Sequence, residues 1–375
     1  MQDEEQQGPF EGEVVISGGG FPTIGLARAS SICVRSSLMA ARAIGRTPRA
    51  GAAVALAAAA LLVAPAAVQA DSIVYVKRGD VWLSKPDGTG ARALTSNGTP
   101  RNPYRSPSQS DAGTIVALKG KRTLHVLNRR GKRLQRPRSI TGAPMPPYDP
   151  RALDVRISPG GKHVAFTIWL VVRNQDPDPN EPAGEDLGTQ VWVTKLRNAK
   201  AINIERTPQS PSWIDNRRFL VFTPFLYHTE DVWTAVVGGR GGPWFQDLEV
   251  VDPLDPTDGA PLNSGELTRG AQDKLALIRG PNSTAVGDPT SIRVYAVSGI
   301  PARPVARCDL RTASRIRYEP PTWSPDGRAL AWSEADGIWS TPIADGAGDC
   351  AAQPRRLIRG AGQPDWGPAG VPRRR

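Results

Sequence analysis

The strongest constraint on this chain is a phrase that it begins twice and completes once. Near the C-terminus stands "PPTWSPDGRALAWSEADGIWSTP" (320–342), and at 363–368 its opening returns as "QPDWGP" and stops. Related phrases run back through the chain: "SPSQSDAGTIVAL" (106–118), "ISPGGKHVAF" (157–166), "SWIDNRRFLVF" (212–222), "LTRGAQDKLAL" (267–277) and "WSPDGRALAW" (323–332). At most of their bends stand Gly, Asn or Asp, which tolerate the backbone of tight hairpins, so each phrase reads as a strand a, a turn and a strand b.

A second phrase follows each time: "DVWLSKPDG" (80–88), "TLHVLNRRG" (123–131), "QVWVTKLRN" (190–198), "DVWTAVVGG" (231–239), "SIRVYAVSG" (291–299) and "GIWSTPIADG" (337–346). Each reads as a strand c leading into another turn. The candidates for strand d are less regular: 91–95, 133–140, 201–206, 244–251, 304–310 and 355–359. Six four-stranded units of about 45 to 55 residues match the period of propeller blades. The first unit opens directly at "IVYVKRGDVW" (73–82) and has no strand a of its own. The expected fold is therefore all-β, a six-bladed β-propeller of four-stranded antiparallel blades. Its ring is closed by the C-terminal strand pairing with Ile73–Val76, which removes two open sheet edges. The abundance of Gly (38) and Pro (36) agrees with many short strands and turns.

The phrases "PTWSPDGRALAWSEADGIWSTPIADG" and "IVYVKRGDVWLSKPDGTGARALT" resemble the TolB-type, or PD40, β-propeller repeat, a WD40-like repeat. The resemblance covers essentially all of 71–368. It is closest in blades 1 and 6, fair in blade 3 and loose in blades 2, 4 and 5. It implies the fold without implying one function. The α/β domain that precedes the propeller in TolB itself has no counterpart here. Nor does the G-x-S-x-G nucleophile elbow of peptidases that carry the same repeat.

Ahead of the repeats, 39–70 has the layout of a secretory signal peptide. Arg42, Arg46 and Arg49 form its basic head, Ala52 to Ala64 its apolar run, and Val68-Gln69-Ala70 its cleavage site. Residues 1–38 read as a leader or a misplaced start, 71–368 as the propeller and 369–375 as a basic tail. The mature chain is then exported, to the periplasm, the cell wall or the medium. The formal charge is +11, and the first seventy residues hold as many acids as bases, so the excess stays with the propeller. After export such a charge points to an envelope protein or an anionic wall polymer rather than to nucleic acid. A monomer is expected, with no transmembrane segment in the mature part. Cys308 and Cys350 remain after processing. A disulfide and two separate buried thiols are both open readings.

Sites for chemistry are few. His125, His163 and His228 stand at no metal-ligand spacing and read as structural or surface residues. The acidic stretch 173–188 sets Asp176, Asp178, Asn180 and Glu185 among prolines. These are oxygen donors of the kind Ca²⁺ takes, although prolines interrupt the run and the stretch reads first as a solvated Pro/acidic loop. The basic run 119–138 offers Arg129, Arg130, Lys132 and Arg133 to an anionic partner, with Tyr148 on the loop beyond. Trp82, Trp192, Trp233 and Trp339 recur at one position of strand c and read as core.

The expectation is an exported, TolB-like, non-catalytic scaffold that binds protein or wall material and has no cofactor, with calcium at 173–188 as a weak candidate. One alternative is a glycoside or lactone hydrolase, for which acids such as Asp154, Asp215 and Asp273 would have to converge at the channel. A glycan-binding lectin is the other, with Tyr148, Tyr227 and Trp244 on its loops.

Overall fold

A computed structural model of the protein describes residues 71–140, 150–172, 185–197, 201–206, 209–222, 232–239, 241–245, 262–279, 291–312, 319–344, 350 and 352–373. All lie within one compact unit, Val63–Arg375. The described elements are strands, in six antiparallel sheets of four.

Blade 1 takes β24 (Ala361–Gly367) as its strand a, followed by β1 (Ser72–Lys77), β2 (Asp80–Ser84) and β3 (Arg92–Ala93). Blade 2 is β4 (Tyr104–Gln109), β5 (Thr114–Lys119), β6 (Thr123–Asn128) and β7 (Arg138–Ser139). Blade 3 is β8 (Arg151–Ile157), β9 (His163–Val172), β10 (Glu185–Lys195) and β11 (Ala201–Arg206). Blade 4 is β12 (Gln209–Trp213), β13 (Arg218–Phe222), β14 (Val232–Val236) and β15 (Gly242–Phe245). Blade 5 is β16 (Leu262–Leu267), β17 (Lys274–Arg279), β18 (Ser291–Ala296) and β19 (Val305–Arg311). Blade 6 is β20 (Thr322–Trp323), β21 (Ala329–Glu334), β22 (Gly337–Pro342) and β23 (Arg355–Arg359). Each strand a touches the strands a of both neighbouring blades, which places these six strands innermost, around the channel.

The truncated phrase closes this ring. Ile73 pairs with Trp366, Val74 with Asp365 and Val76 with Gly362, in antiparallel register. β1 is thereby an interior strand, and Ile73, Val74 and Tyr75 are fully buried.

Six hydrophobic clusters hold the ring, each between two consecutive blades. Val74, Val81 and Leu83 of blade 1 meet Tyr104, Ile115 and Ala117 of blade 2. On the other side Ile73 and Tyr75 meet Ala331 and Ile338 of blade 6. Successive residues of one strand b thus serve different interfaces, because side chains alternate across the sheet. That explains why every strand b reads as an apolar run rather than as polar–apolar alternation: both faces are covered. The strand c tryptophans pack between blades as expected, but at less depth than the core. Trp82, Trp192, Trp233 and Trp339 are half-buried and pack against cluster margins, whereas Trp323 and Trp332 fill the interior.

Two further ties cross blades. Cys308 of β19 is disulfide-bonded to Cys350 in the β22–β23 connection, with Cα atoms 5.8 Å apart, so the outer strand of blade 5 is stapled to blade 6. The second tie is the end of the chain. Beyond β24 the Ala369 carbonyl accepts from Ser72 Oγ, and Val371 packs against the cluster between blades 1 and 2. The Gly370 and Pro372 carbonyls accept from Arg129 and Arg92.

Candidate functional site

Aligning the blades on their a–b turns puts one residue of each strand a in the same slot, two places before the turn begins. The occupants are Asp365, Ser108, Arg156, Ser212, Glu266 and Thr322, in order from blade 1 to blade 6. The slot is reached through an irregular strand. In blades 1, 2 and 4 a non-glycine residue with φ between 46° and 56° (Gln363, Ser106, Ser210) precedes a proline, and the pairing register shifts there. Such bulges re-aim the side chains that follow them.

In three blades the slot residue bonds to the next blade round the ring. Asp365 Oδ2 accepts from Gln109 N (3.2 Å), Ser108 Oγ from Ile157 N (3.2 Å) and Thr322 Oγ1 from Trp366 N (3.0 Å). An arginine in blade 3 has no acceptor to offer, and there the Arg156 carbonyl takes the Trp213 indole N–H (3.0 Å). The Glu266 carbonyl does the same for Trp323 (2.8 Å).

The charged occupants are joined across the channel. Arg269, in the turn after β16 of blade 5, places Nη2 3.3 Å from Asp365 Oδ1 of blade 1. Its Nη1 lies 3.3 Å from Asp111 Oδ1 of blade 2, and its Nε 3.6 Å from Glu266 Oε1. Arg156 of blade 3 adds a contact of 3.6 Å to Asp365, which is 3% exposed. One guanidinium therefore spans from blade 5 to blades 1 and 2 at the a–b hairpin end of the channel.

Burial pushes the Glu266 carboxyl up to about 7, with Asp365 adding to the rise while Arg269 and Arg156 oppose it. Burial also works against the Arg269 charge, yet Asp365, Glu266 and Asp111 together raise its pKa.

The acids named from sequence do not form this cluster. Asp154 is buried on β8, its carboxyl raised by burial, and accepts from Thr167 N (3.1 Å). Asp215 ties its own turn through Arg217 N, Arg218 N and the Arg218 side chain. Asp273 is engaged with Thr268 and Lys274. The three do not converge. Trp244 is no loop aromatic either: it is 7% exposed in the core between blades 4 and 5, and its indole bonds to the Ala302 carbonyl. Tyr148 and Tyr227 lie outside the described residues.

Asp176, Asp178 and Asn180 likewise lie outside the described residues, and of Glu185 only the backbone, at the start of β10, is described. Among the described residues no group of three or more His, Cys, Asp or Glu side chains could hold a metal ion, and no helix is long and apolar enough to cross a membrane. His125 is buried against Tyr104, whose hydroxyl lies 3.3 Å from its Nδ1, and His163 stacks on Trp213.

The basic run behaves differently from the channel charges. Arg130, Lys132 and Arg133 are exposed on the β6–β7 connection of blade 2, and Arg129 is half-buried under the chain end. The slot acids were missed because each looks ordinary inside its own repeat. Their signal was positional: Ser, Thr, Arg, Glu and Asp exchanging in one column of strand a, two places before each a–b turn.

No sequence-family profile matches this chain, and no curated protein does. Solved structures resemble it in fold. The periplasmic gluconolactonase PpgL of Pseudomonas aeruginosa is 9% identical over 80% of this chain and 99% of its own, with a TM-score of 0.47. A gluconolactonase of Xanthomonas campestris is 14% identical over 69% and 78%, with a TM-score of 0.42. A puromycin-hydrolysing peptidase of Mycobacterium tuberculosis is 14% identical over 76% of this chain, which spans 42% of the peptidase, with a TM-score of 0.45. Likeness at this level carries no inference about chemistry, and the six-bladed fold rests on the strand pairing itself.

Proposed function

We propose that the chain is a TolB-like, non-catalytic binding propeller, exported to the cell envelope, which holds an envelope protein or an anionic wall polymer. The observation that carries this reading is the position of the Arg269 guanidinium, within 3.6 Å of Asp365, Asp111 and Glu266. A hydrolytic site needs a substrate between its acid and its base. Here an arginine occupies that place, and the channel charges are compensated by one another. Three exposed cations with no acidic partner among the described residues, Arg130, Lys132 and Arg133, stand together on the β6–β7 connection of blade 2.

One observation favours a second reading, a channel hydrolase. Glu266, held near neutrality, is poised as a general acid. A single comparison separates the two. The mature chain, residues 71–375, is assayed on a panel of lactones and glycosides and cross-linked in envelope extract, alongside Glu266→Gln. The binding reading expects no turnover and a saturable partner kept by the variant. Turnover lost in Glu266→Gln would overturn it in favour of the hydrolase.

A further inference from the structure

We propose that the β6–β7 hairpin of blade 2 and the C-terminal tail together form one binding strip for a flexible anionic polymer. This rests on the binding-module reading above and assigns it a surface and a class of ligand.

The hairpin is held rigid. Asn128 Oδ1 accepts from both Arg130 N (2.9 Å) and Lys132 N (3.0 Å), which fixes the turn. Gly131 sits at φ 80° against blade 1, where a Cβ would come within 2.6 Å of the Leu94 carbonyl oxygen. A side chain is excluded there on both counts. The turn thus presents Arg130, Lys132 and Arg133 from a fixed frame, which lowers the ordering cost of binding.

The tail brings more charge to the same place. It runs from β24 over the seam between blades 1 and 2, anchored by Ser72, Val371, Arg129 and Arg92. That path brings exposed Arg373 towards the hairpin.

Two features select the occupant. On blades 4 and 6, exposed Arg218 and Arg356 are neutralised by Asp215 and Asp336. No acidic side chain pairs with Arg130, Lys132, Arg133 or Arg373 among the described residues, so the strip keeps its charge. The strip also lacks an aromatic anchor: Leu134, 48% exposed, is its one large exposed apolar side chain among the described residues. Protein interfaces draw their energy from buried aromatic and arginine anchors, and single-stranded nucleic acids stack on aromatics. A surface of charges alone fits a chain of repeated anions bound by counterion release.

The test uses mature chain 71–375 with two probes, inorganic polyphosphate and polygalacturonate, titrated across a salt series. Neutral dextran is the blank, and the two probes separate a phosphate from a carboxylate source. The triple variant Arg130→Gln, Lys132→Gln, Arg133→Gln should bind about a hundredfold more weakly at low salt. Its slope of log K against log salt should be shallower by about 2–3. Truncation after Pro372 should weaken binding in the same direction. A charge-matched control, Arg355→Gln, Arg359→Gln, Lys162→Gln, should bind like the parent, and melting curves should confirm that all variants are folded. Equal losses in the triple variant and the control, no loss in the triple variant, or no binding of either probe by the parent would overturn the strip. None of those results bears on whether the parent captures an envelope partner through another face, so the broader reading stands or falls by its own assay.

Discussion

At the residue scale, Glu266 and Arg269 are the centre of the channel charge cluster. Arg269 is the cation shared by Asp365, Asp111 and Glu266. Arg269→Ala should cost about 1–3 kcal/mol in chemical denaturation, because it takes a shared cation from the buried Asp365 and the partly buried Glu266. Glu266 and His125 pull the pH dependence in opposite directions. Glu266 is raised from 4.5 to about 7 in the fold. Its folded form holds the proton more tightly, so this contribution is fully present below about 4.5 and is lost as the pH rises through about 7. His125 is lowered from 6.5 to about 4, first by burial and then by Arg133 and Lys119. Its contribution is present above 6.5 and is lost as the pH falls towards about 4. Between those limits the two slopes oppose each other. Glu266→Gln should remove one of them, so that stability in the variant falls less, or rises more, with pH across the window than in the parent. A variant with the parent's pH profile would show that Glu266 does not titrate there. None of this was legible in the sequence, because convergence of residues from blades 1, 2, 3 and 5 is a property of ring closure rather than of any repeat.

At the scale of elements, the strands were legible and their burial less so. Turn residues and apolar runs locate strands a, b and c, and the weaker strand d candidates also mark true strands. Two of these, Arg92–Ala93 and Arg138–Ser139, are only two residues long. The regular strand c tryptophan suggested the core, yet regularity reports a shared position and not its depth. Strand c lies one step from the outer edge, where a large side chain covers a cluster without entering it. The Cys308–Cys350 bond was left open by sequence for the same reason: two residues 42 apart meet only because blades 5 and 6 are adjacent. Closing a loop of that length constrains the unfolded chain by about 4 kcal/mol in the chain-entropy picture. Reduction should therefore lower the denaturation midpoint, and Cys308→Ala/Cys350→Ala should reproduce that loss and abolish the response to reductant. A midpoint unaffected by reductant would contradict the staple.

At the scale of the molecule, the governing fact is that the last strand completes the first blade. A short phrase resumed at 363–368 was enough to anticipate it, because Pro364-Asp365-Trp366 aligns with Pro321-Thr322-Trp323 residue for residue. What the phrase did not disclose is how much depends on Asp365. It pairs with Val74 in the closing sheet, caps the Gln109 amide of blade 2 and carries the ion pairs to Arg156 and Arg269. Closure and channel charge are therefore one structure, and the basic tail is placed by the same strand. The most direct measurement of this claim is residue-resolved native-state hydrogen exchange on residues 71–375. The closing amides of β1 and β24 should exchange only with global unfolding, as slowly as those of β5, β9 and β17. Exchange of β1 and β24 at the rate of a frayed terminus, while those inner strands stay protected, would contradict a ring closed by its C-terminal strand.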